Sequence, residues 1–211
     1  MFWDRAAIFY DLFGYIYNGR VNRRLCAVVS AMIDADDTIL ECACGTGMIG
    51  AAIAPKCRRL IATDYSEGML KRAKKRLGRF ENASVCFADI TKLEFENDTF
   101  DAVVAANVIH LLDEPRAALF ELSRVCKNGG RLIIPTYIRS NGGKNGKAFV
   151  KAASKAGAGF KRQFTLESYR TLFAEAGFSD IRMIELSGRL PCAVAVLKNR
   201  STNSEKHKGL E

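Results

Sequence analysis

Apolar residues in the first part of the chain recur at helical spacing. Ile8, Phe9, Leu12, Phe13, Ile16 and Tyr17 fall three and four positions apart, which predicts one apolar stripe along a helix. Asn18-Gly19 reads as a break, and Val21, Leu25, Val28, Val29 and Met32 predict a second helix ending at the polar turn Asp34-Ala35-Asp36-Asp37. Beyond that turn the pattern changes to short apolar runs alternating with helical segments. Strands are predicted over 38–42, 59–63, 84–88, 100–106, 131–137, 180–186 and 192–197. The intervening helices have recognisable ends. One of small residues stops near Pro55, one is capped by Ser66 and runs to Leu77-Gly78, one opens at Pro115 and extends through Val125, and one over 165–176 is closed by Gly177. Asn128-Gly129-Gly130 is a turn into the fifth strand, and Ser140 to Gly146 reads as a mobile loop before a further segment at 147–156.

Strands of this length alternating with helices imply right-handed βαβ crossovers, and therefore a mostly parallel sheet with helices on both faces. The expected organisation is a single α/β domain over residues 1–198, with 1–33 as an N-terminal helical cap and 199–211 as a disordered tail. No internal repeat or domain linker interrupts it.

Composition narrows the class. The chain has 211 residues, 48% hydrophobic and 26% charged, the balance of a globular domain with one core. No run of about 18 apolar residues predicts a membrane span. The start Met1-Phe2-Trp3-Asp4-Arg5 lacks the regions of a signal peptide, so a cytoplasmic protein is expected. Seven cysteines, scattered and without a Cys-x-x-Cys pair, are expected as reduced buried thiols rather than disulfides or a metal site. The net charge of +9 could attract an anionic partner, but much of it lies in Lys71-Arg72-Ala73-Lys74-Lys75-Arg76, expected as a solvated helix face, and in the tail. A nucleic-acid enzyme should add base-stacking aromatics along a continuous basic groove, and a nucleic-acid partner is therefore not favoured.

The candidate chemistry lies where strands end. Gly45 and Gly47 follow the first strand and precede a helix, the arrangement that places a ligand over the carboxyl edge of a doubly wound sheet. A glycine pair at such a turn is common, and by itself says little. Asp64, however, ends the second strand 17 residues past Gly47, where a carboxylate can accept from both hydroxyls of a ribose. Asp89 ends the third strand, within reach of an adenine edge, and Asn107 ends the fourth. The turn is Ala43-x-Gly45-x-Gly47 rather than the Gly-x-Gly-x-x-Gly of a dinucleotide site, and no P-loop lysine follows it.

These segments together resemble the class I S-adenosylmethionine-dependent methyltransferases. Leu40-Glu41-Cys42-Ala43-Cys44-Gly45-Thr46-Gly47 is similar to their first motif, and Thr63-Asp64-Tyr65-Ser66-Glu67-Gly68-Met69-Leu70 to their second. Phe87-Ala88-Asp89-Ile90 resembles the third, and Phe100 to Val104 with Asn107-Val108-Ile109-His110 the fourth. The stretch from Arg124 to Thr136 resembles the post-core motif. The likeness covers roughly residues 4 to 198 and lies nearest the type-11 branch, which includes quinone-biosynthesis and phospholipid methyltransferases. Ala43 stands where the family usually has glycine, and Asn128 where it often has proline.

The resemblance implies a Rossmann-like seven-stranded, mostly parallel sheet with an antiparallel last strand and an N-terminal helical lid. It implies S-adenosyl-L-methionine as cofactor, with Glu41 and the backbone of Ala43, Cys44, Gly45, Thr46 and Gly47 holding the methionine part. Asp64 would bind the ribose with Tyr65 and Met69 beside it, Asp89 and Ile90 the adenine, and Asn107 would close the site beside the sulfonium. Methyl transfer is an in-line displacement that chiefly requires alignment and exclusion of water. His110 is the candidate general base, against a reading as a packed residue under its loop. Tyr10, Tyr17, Arg20 and Tyr137 are candidates for the acceptor rim. A small-molecule acceptor, hydrophobic or lipid-like, is expected, with peripheral membrane contact as an option. An RNA methyltransferase and a non-catalytic S-adenosylmethionine-binding protein are the alternatives.

Overall fold

The structure is a computed structural model, and the residues described are 18–139 and 161–200. Tyr10 and Tyr17, the first predicted helix, and the expected loop and segment at 140–156 lie outside the described residues. The first helix described, α1, covers residues 18–30. Asn18 and Gly19 are already helical rather than a break. The reason is tertiary: the Asn18 side chain donates to the Leu190 carbonyl at 3.0 Å and accepts from the Leu190 amide at 3.4 Å. That contact supplies what helix propensity does not.

The remaining elements follow the predicted alternation with shifts of one or two residues at most ends. They are β1 (Thr38–Cys42), α2 (Met48–Ile53), β2 (Arg59–Asp64), α3 (Glu67–Leu77), β3 (Ala83–Phe87), β4 (Phe100–Ala105), α4 (Pro115–Val125), β5 (Cys126–Tyr137), α5 (Leu166–Glu175), β6 (Ile181–Leu186) and β7 (Cys192–Lys198). The local reasons are the expected ones. Ser66 caps α3 by accepting from the Met69 amide at 3.2 Å, Pro115 opens α4, and Gly177 takes a positive φ of 89° past α5. The fifth strand begins at Cys126, five residues before the predicted start. Cys126 pairs with Phe100 and Arg131 with Ala102, so 127–130, with Gly129 at φ 78°, form a bulge inside the strand.

Seven strands form one sheet in the order β3-β2-β1-β4-β5-β7-β6. The first five run parallel, and β7 is antiparallel to both neighbours. Successive residues of the central strands feed two separate cores. Ile39, Ala102, Val104 and Ile133 pack with α1, α2 and α3 on one face. Leu40, Val103, Leu132 and Ile134 pack with α4 and α5 on the other. Chain direction across the sheet reverses between β1 and β4, which opens a crevice outside their carboxyl ends.

Four of the seven thiols are buried, and burial pushes Cys42, Cys126 and Cys192 up to about 12. They behave as small hydrophobes, whereas Cys86 on edge strand β3 is exposed. Asn199, expected as the first residue of the tail, is part of the fold, and residues 201–211 lie outside the described residues. Asn199 is buried, its Nδ2 donating to the carbonyls of Ser123 and Cys126 at 2.9 and 2.7 Å. Among the described residues, no helix is long and apolar enough to cross a membrane.

Candidate functional site

β1 ends in a turn whose backbone alternates in hand. Ala43, Gly45 and Gly47 take φ of 51°, 56° and 77°, each in the left-handed region. Gly45 is needed for that torsion alone, since a Cβ there would meet nothing within 4 Å, and the open side is available to a ligand. Ala43 adopts the same hand with a side chain, at a cost of about 1 kcal/mol. The Cys44 amide ties the turn to β2 by donating to the Thr63 carbonyl at 2.9 Å, and the Gly47 amide closes it on itself by donating to the Cys44 carbonyl at 2.9 Å.

Asp64 organises the crevice. One carboxylate oxygen accepts from the Gly45 amide at 2.8 Å and the other from the Ser66 amide at 2.9 Å. The end of β2 is thereby tied to the turn after β1 and to the start of α3. A carboxylate at this edge can accept from hydroxyl donors as well as from backbone amides.

Glu41, one position before the end of β1, is buried at 2% exposure on the face covered by α1 to α3. Burial first, and then the Asp64 carboxylate, push its carboxyl up to about 8, while the Gly50 backbone acts in the opposite sense. Across the crevice, Asn107 holds a φ of 55° and donates its amide to the Pro135 carbonyl at 2.8 Å. Among the described residues, Oε2 of Glu41 and Oδ1 of Asn107 are buried side-chain oxygens with no hydrogen-bond partner. Such groups are costly unless a ligand supplies donors. An adenosyl amino acid, with a cationic chain and two ribose hydroxyls, fits this acceptor-rich set and the open side of Gly45.

Other predicted residues line the same edge. Thr46 is buried and its hydroxyl accepts from Arg76 Nη1 at 2.8 Å. Met69 and Ile90 are buried. Asp89 is half-buried and turns back on its own loop, accepting from the Thr91 amide at 2.8 Å and hydroxyl at 2.7 Å. Tyr65 is 50% exposed and lies against Phe87, 57% exposed, with ring centroids 5.1 Å apart.

The predicted rim is brought together only in part. Tyr137, after the end of the β4-facing ladder of β5, donates its hydroxyl to Asn22 Oδ1 of α1 at 3.2 Å. Arg20 is exposed on the first described turn of α1. His110 sits in a short 3-10 turn, Ile109–Leu111, buried, with Nδ1 at 2.9 Å from Thr136 Oγ1. Burial lowers its pKa to about 4 and makes it a weak base at neutral pH. Its carbonyl also accepts from the Lys161 and Arg162 amides at 3.1 Å each, a packed and anchored position.

Sequence reasoning missed two residues. Arg76 belongs to the basic run expected as a solvated face, yet reaches across to Thr46. Its place on α3 at a helical flank beside the buried Ala73 and Leu77 was the available signal. Gly50 admits the Glu41 carboxyl: a Cβ there would lie 2.5 Å from Oε2. A glycine inside a helix, where it costs stability, was the signal.

The chain is similar to known methyltransferases in sequence and in fold. Residues 40–134 match the family model of a methyltransferase domain. A demethylmenaquinone methyltransferase of Clavibacter sepedonicus is 42% identical over 100 residues, 47% of this chain and 41% of that protein, so the match spans less than half of that relative. A demethylmenaquinone methyltransferase of Renibacterium salmoninarum is 28% identical over 89% of this chain and 86% of its own length. Among solved structures, an S-adenosylmethionine-dependent methyltransferase of Thermotoga maritima superposes with a TM-score of 0.72 at 21% identity, over 94% of this chain and 99% of that one. The matched segment runs from Leu40 through Ile134, taking in the turn after β1, Asp64, Asp89 and Asn107, and the fold is shared with the Thermotoga structure. Over residues 40–134 the chain matches a methyltransferase domain, and the proteins it resembles are methyltransferases, the Thermotoga structure among them an S-adenosylmethionine-dependent one.

Proposed function

We propose that this protein transfers the methyl group of S-adenosylmethionine to a small, apolar acceptor of the quinone-precursor or lipid-like kind. The observation that carries the reading is the Asp64 carboxylate, holding the Gly45 and Ser66 amides at 2.8 and 2.9 Å over the crevice at the switch point of the sheet. The cofactor supplies an electrophilic methyl on a sulfonium, and the protein's part is to bind, align and exclude water.

In this reading Asp64 accepts the ribose hydroxyls while bracing the turn, with Tyr65 and Met69 beside it. The turn from Ala43 to Gly47 and Glu41 hold the methionine chain. Asp89 and Ile90 meet the adenine, and Asn107 faces the sulfonium side with its unpartnered Oδ1. Arg20 and Tyr137 stand on the acceptor side, and Tyr10 and Tyr17, outside the described residues, are further candidates for it. His110 keeps Thr136 and the end of β5 in place, and the displacement proceeds without it as a strong base. The acceptor class is supported by the Clavibacter and Renibacterium relatives, both named demethylmenaquinone methyltransferases, and by the apolar, aromatic N-terminal region.

Titration of S-adenosylmethionine into wild type and Asp64→Ala tests the site. Loss of the ribose contacts and of the turn's brace predicts affinity at least about a hundredfold weaker, two charge-assisted hydrogen bonds at roughly 1.5 kcal/mol each. Equal affinity would remove Asp64 from the site. A methyl-transfer screen over quinone precursors, phospholipids and small amines tests the acceptor, and turnover confined to the amines would overturn the apolar class.

A further inference from the structure

Glu41 is set in a place where a negative charge finds no counterpart. Its neighbours in the sheet are Ala62 of β2 and Val104 of β4, neither of them charged. α2, packed on that face, reads Met-Ile-Gly-Ala-Ala-Ile and carries no titratable side chain. What α2 contributes is Gly50, whose backbone favours the ionised carboxyl but is outweighed by burial, and whose missing Cβ leaves room for Oε2.

The titratable groups that do face Glu41 are acids. Asp64 at the end of β2 acts on it directly. The thiols of Cys26 on α1, Cys42 on its own strand and Cys44 in the turn all feel its charge as one that opposes their own ionisation. On α3, Arg76 bears on Cys26 but donates its Nη1 to Thr46. Among the described residues, burial and the Asp64 carboxylate dominate the Glu41 carboxyl, and no cation is among the groups that act on it. Ionised, it would be a second buried negative charge beside Asp64, and such a charge left unpaired is strongly destabilising.

We infer that Glu41 is a neutral acid in the ligand-free protein and gives its proton to water when the ammonium-bearing methionine chain of the cofactor enters, so that cofactor binding near neutral pH releases one proton. The inference rests on the S-adenosylmethionine reading of the site. The balance is simple: the carboxyl O–H bond breaks, the proton leaves to solvent, and the carboxylate pairs with the incoming ammonium. The buried Oε2 then gains the partner it otherwise lacks.

Two consequences follow from linkage. Below the ligand-free value of about 8, the cofactor must displace a bound proton, and its affinity falls by up to about tenfold for each pH unit of acidification. The device also discriminates among ligands. Adenosine carries the base and ribose but no ammonium, and has nothing with which to displace the proton. Glu41 thus acts as a specificity residue for the amino-acid end of the nucleoside.

Calorimetric titration at pH 6.5 in two buffers of different ionisation enthalpy measures the protons released. S-adenosylmethionine should release about one from wild type. Adenosine should release none from wild type, and S-adenosylmethionine none from Glu41→Gln. Binding of S-adenosylmethionine to wild type without proton release overturns the inference and leaves the cofactor reading standing. Equal release by adenosine, or undiminished release from Glu41→Gln, assigns the proton elsewhere and also overturns it. Absence of any S-adenosylmethionine binding overturns the cofactor reading and this inference with it. Should Glu41→Gln fail to fold, the adenosine arm and the pH dependence of wild-type affinity decide the matter.

Discussion

At the amino ends of β1, β4 and β5, charge meets opposite charge. The Arg131 guanidinium binds Asp34 at 2.8 Å and Asp37 more closely still, Lys127 binds Asp101 at 2.6 Å, and the Thr38 amide donates to the other Asp101 oxygen at 2.9 Å. At the carboxyl ends of β1, β2 and β4, Glu41 and Asp64 face each other across buried space, Asn107 keeps an unpartnered oxygen, and three turn residues hold left-handed torsions. Burial acts on both ends, but with different results. Donors from Lys127 and Thr38 outweigh it and hold Asp101 below its ordinary range, whereas nothing outweighs it at Glu41, which rises to about 8. Arg131 Nε is itself buried without a partner, yet its charge is met by two carboxylates. One end of the sheet is built to stay closed, and the other keeps unmet acceptors where a ligand can supply donors.

The comparison breaks most severely at Arg131. Arg131→Ala strips Asp34 and the largely buried Asp37 of their cation and should destabilise the fold by about 2 kcal/mol, part of the full cost being relieved by water at this half-buried site. Cofactor affinity should be unchanged, because the crevice lies at the opposite end. Denaturant melts and ligand titration on the same variant check both halves, and weakened binding would show that the two ends are not independent.

A pH series separates the ends next. Glu41 has a folded value of about 8, above its ordinary 4.5, so the folded protein holds the extra proton and stability falls as pH rises through that window. His110 has a folded value of about 4, below its ordinary 6.5, and therefore acts in the opposite sense, costing stability as pH falls from 6.5. Between about 6.5 and 8 Glu41 acts alone of the two, with a slope of at most about 1.4 kcal/mol per pH unit. Melts of the ligand-free protein should show that decline, and Glu41→Gln should flatten it. An unchanged slope in the variant would place the titrating group elsewhere. Asp101, held low, contributes its stability above the ordinary carboxylate range and loses it only in acid.

The smallest effect is the most local. Ala43→Gly relieves a left-handed alanine, and the gain of about 1 kcal/mol is partly offset by the entropy of an unfolded glycine, leaving roughly 0.5 kcal/mol of stabilisation. Thermal melts resolve this, and a loss of stability would mean that the Ala43 methyl's packing against the core outweighs its strain.

The same contrast explains what was legible in the sequence. Strand positions, helix ends and the residues at strand ends follow from periodicity, caps and motif spacing, so Ser66 caps α3, Pro115 opens α4, Asp64 ends β2 and Asn107 follows β4. What escaped depends on contacts distant in the chain. Asn18-Gly19 has the composition of a break and becomes helix through Leu190, 172 positions away. Asn199 has the composition of a tail and is buried by bonds to α4 and the start of β5. Arg76 sits in a run that looks wholly solvated until Thr46 is placed beside it. No local pattern encodes such pairs. His110 was legible as a residue of the edge, while its burial and weak basicity depend on the packing of 161–162 over it.

Hydrogen exchange with and without S-adenosylmethionine tests the central claim most directly, because it reads both ends of the sheet at once. Slowed exchange is expected in segments 41–47, 64–69 and 104–110, and no change in 34–38 and 126–131. Protection at the amino end, or none at the turn after β1, would contradict that claim.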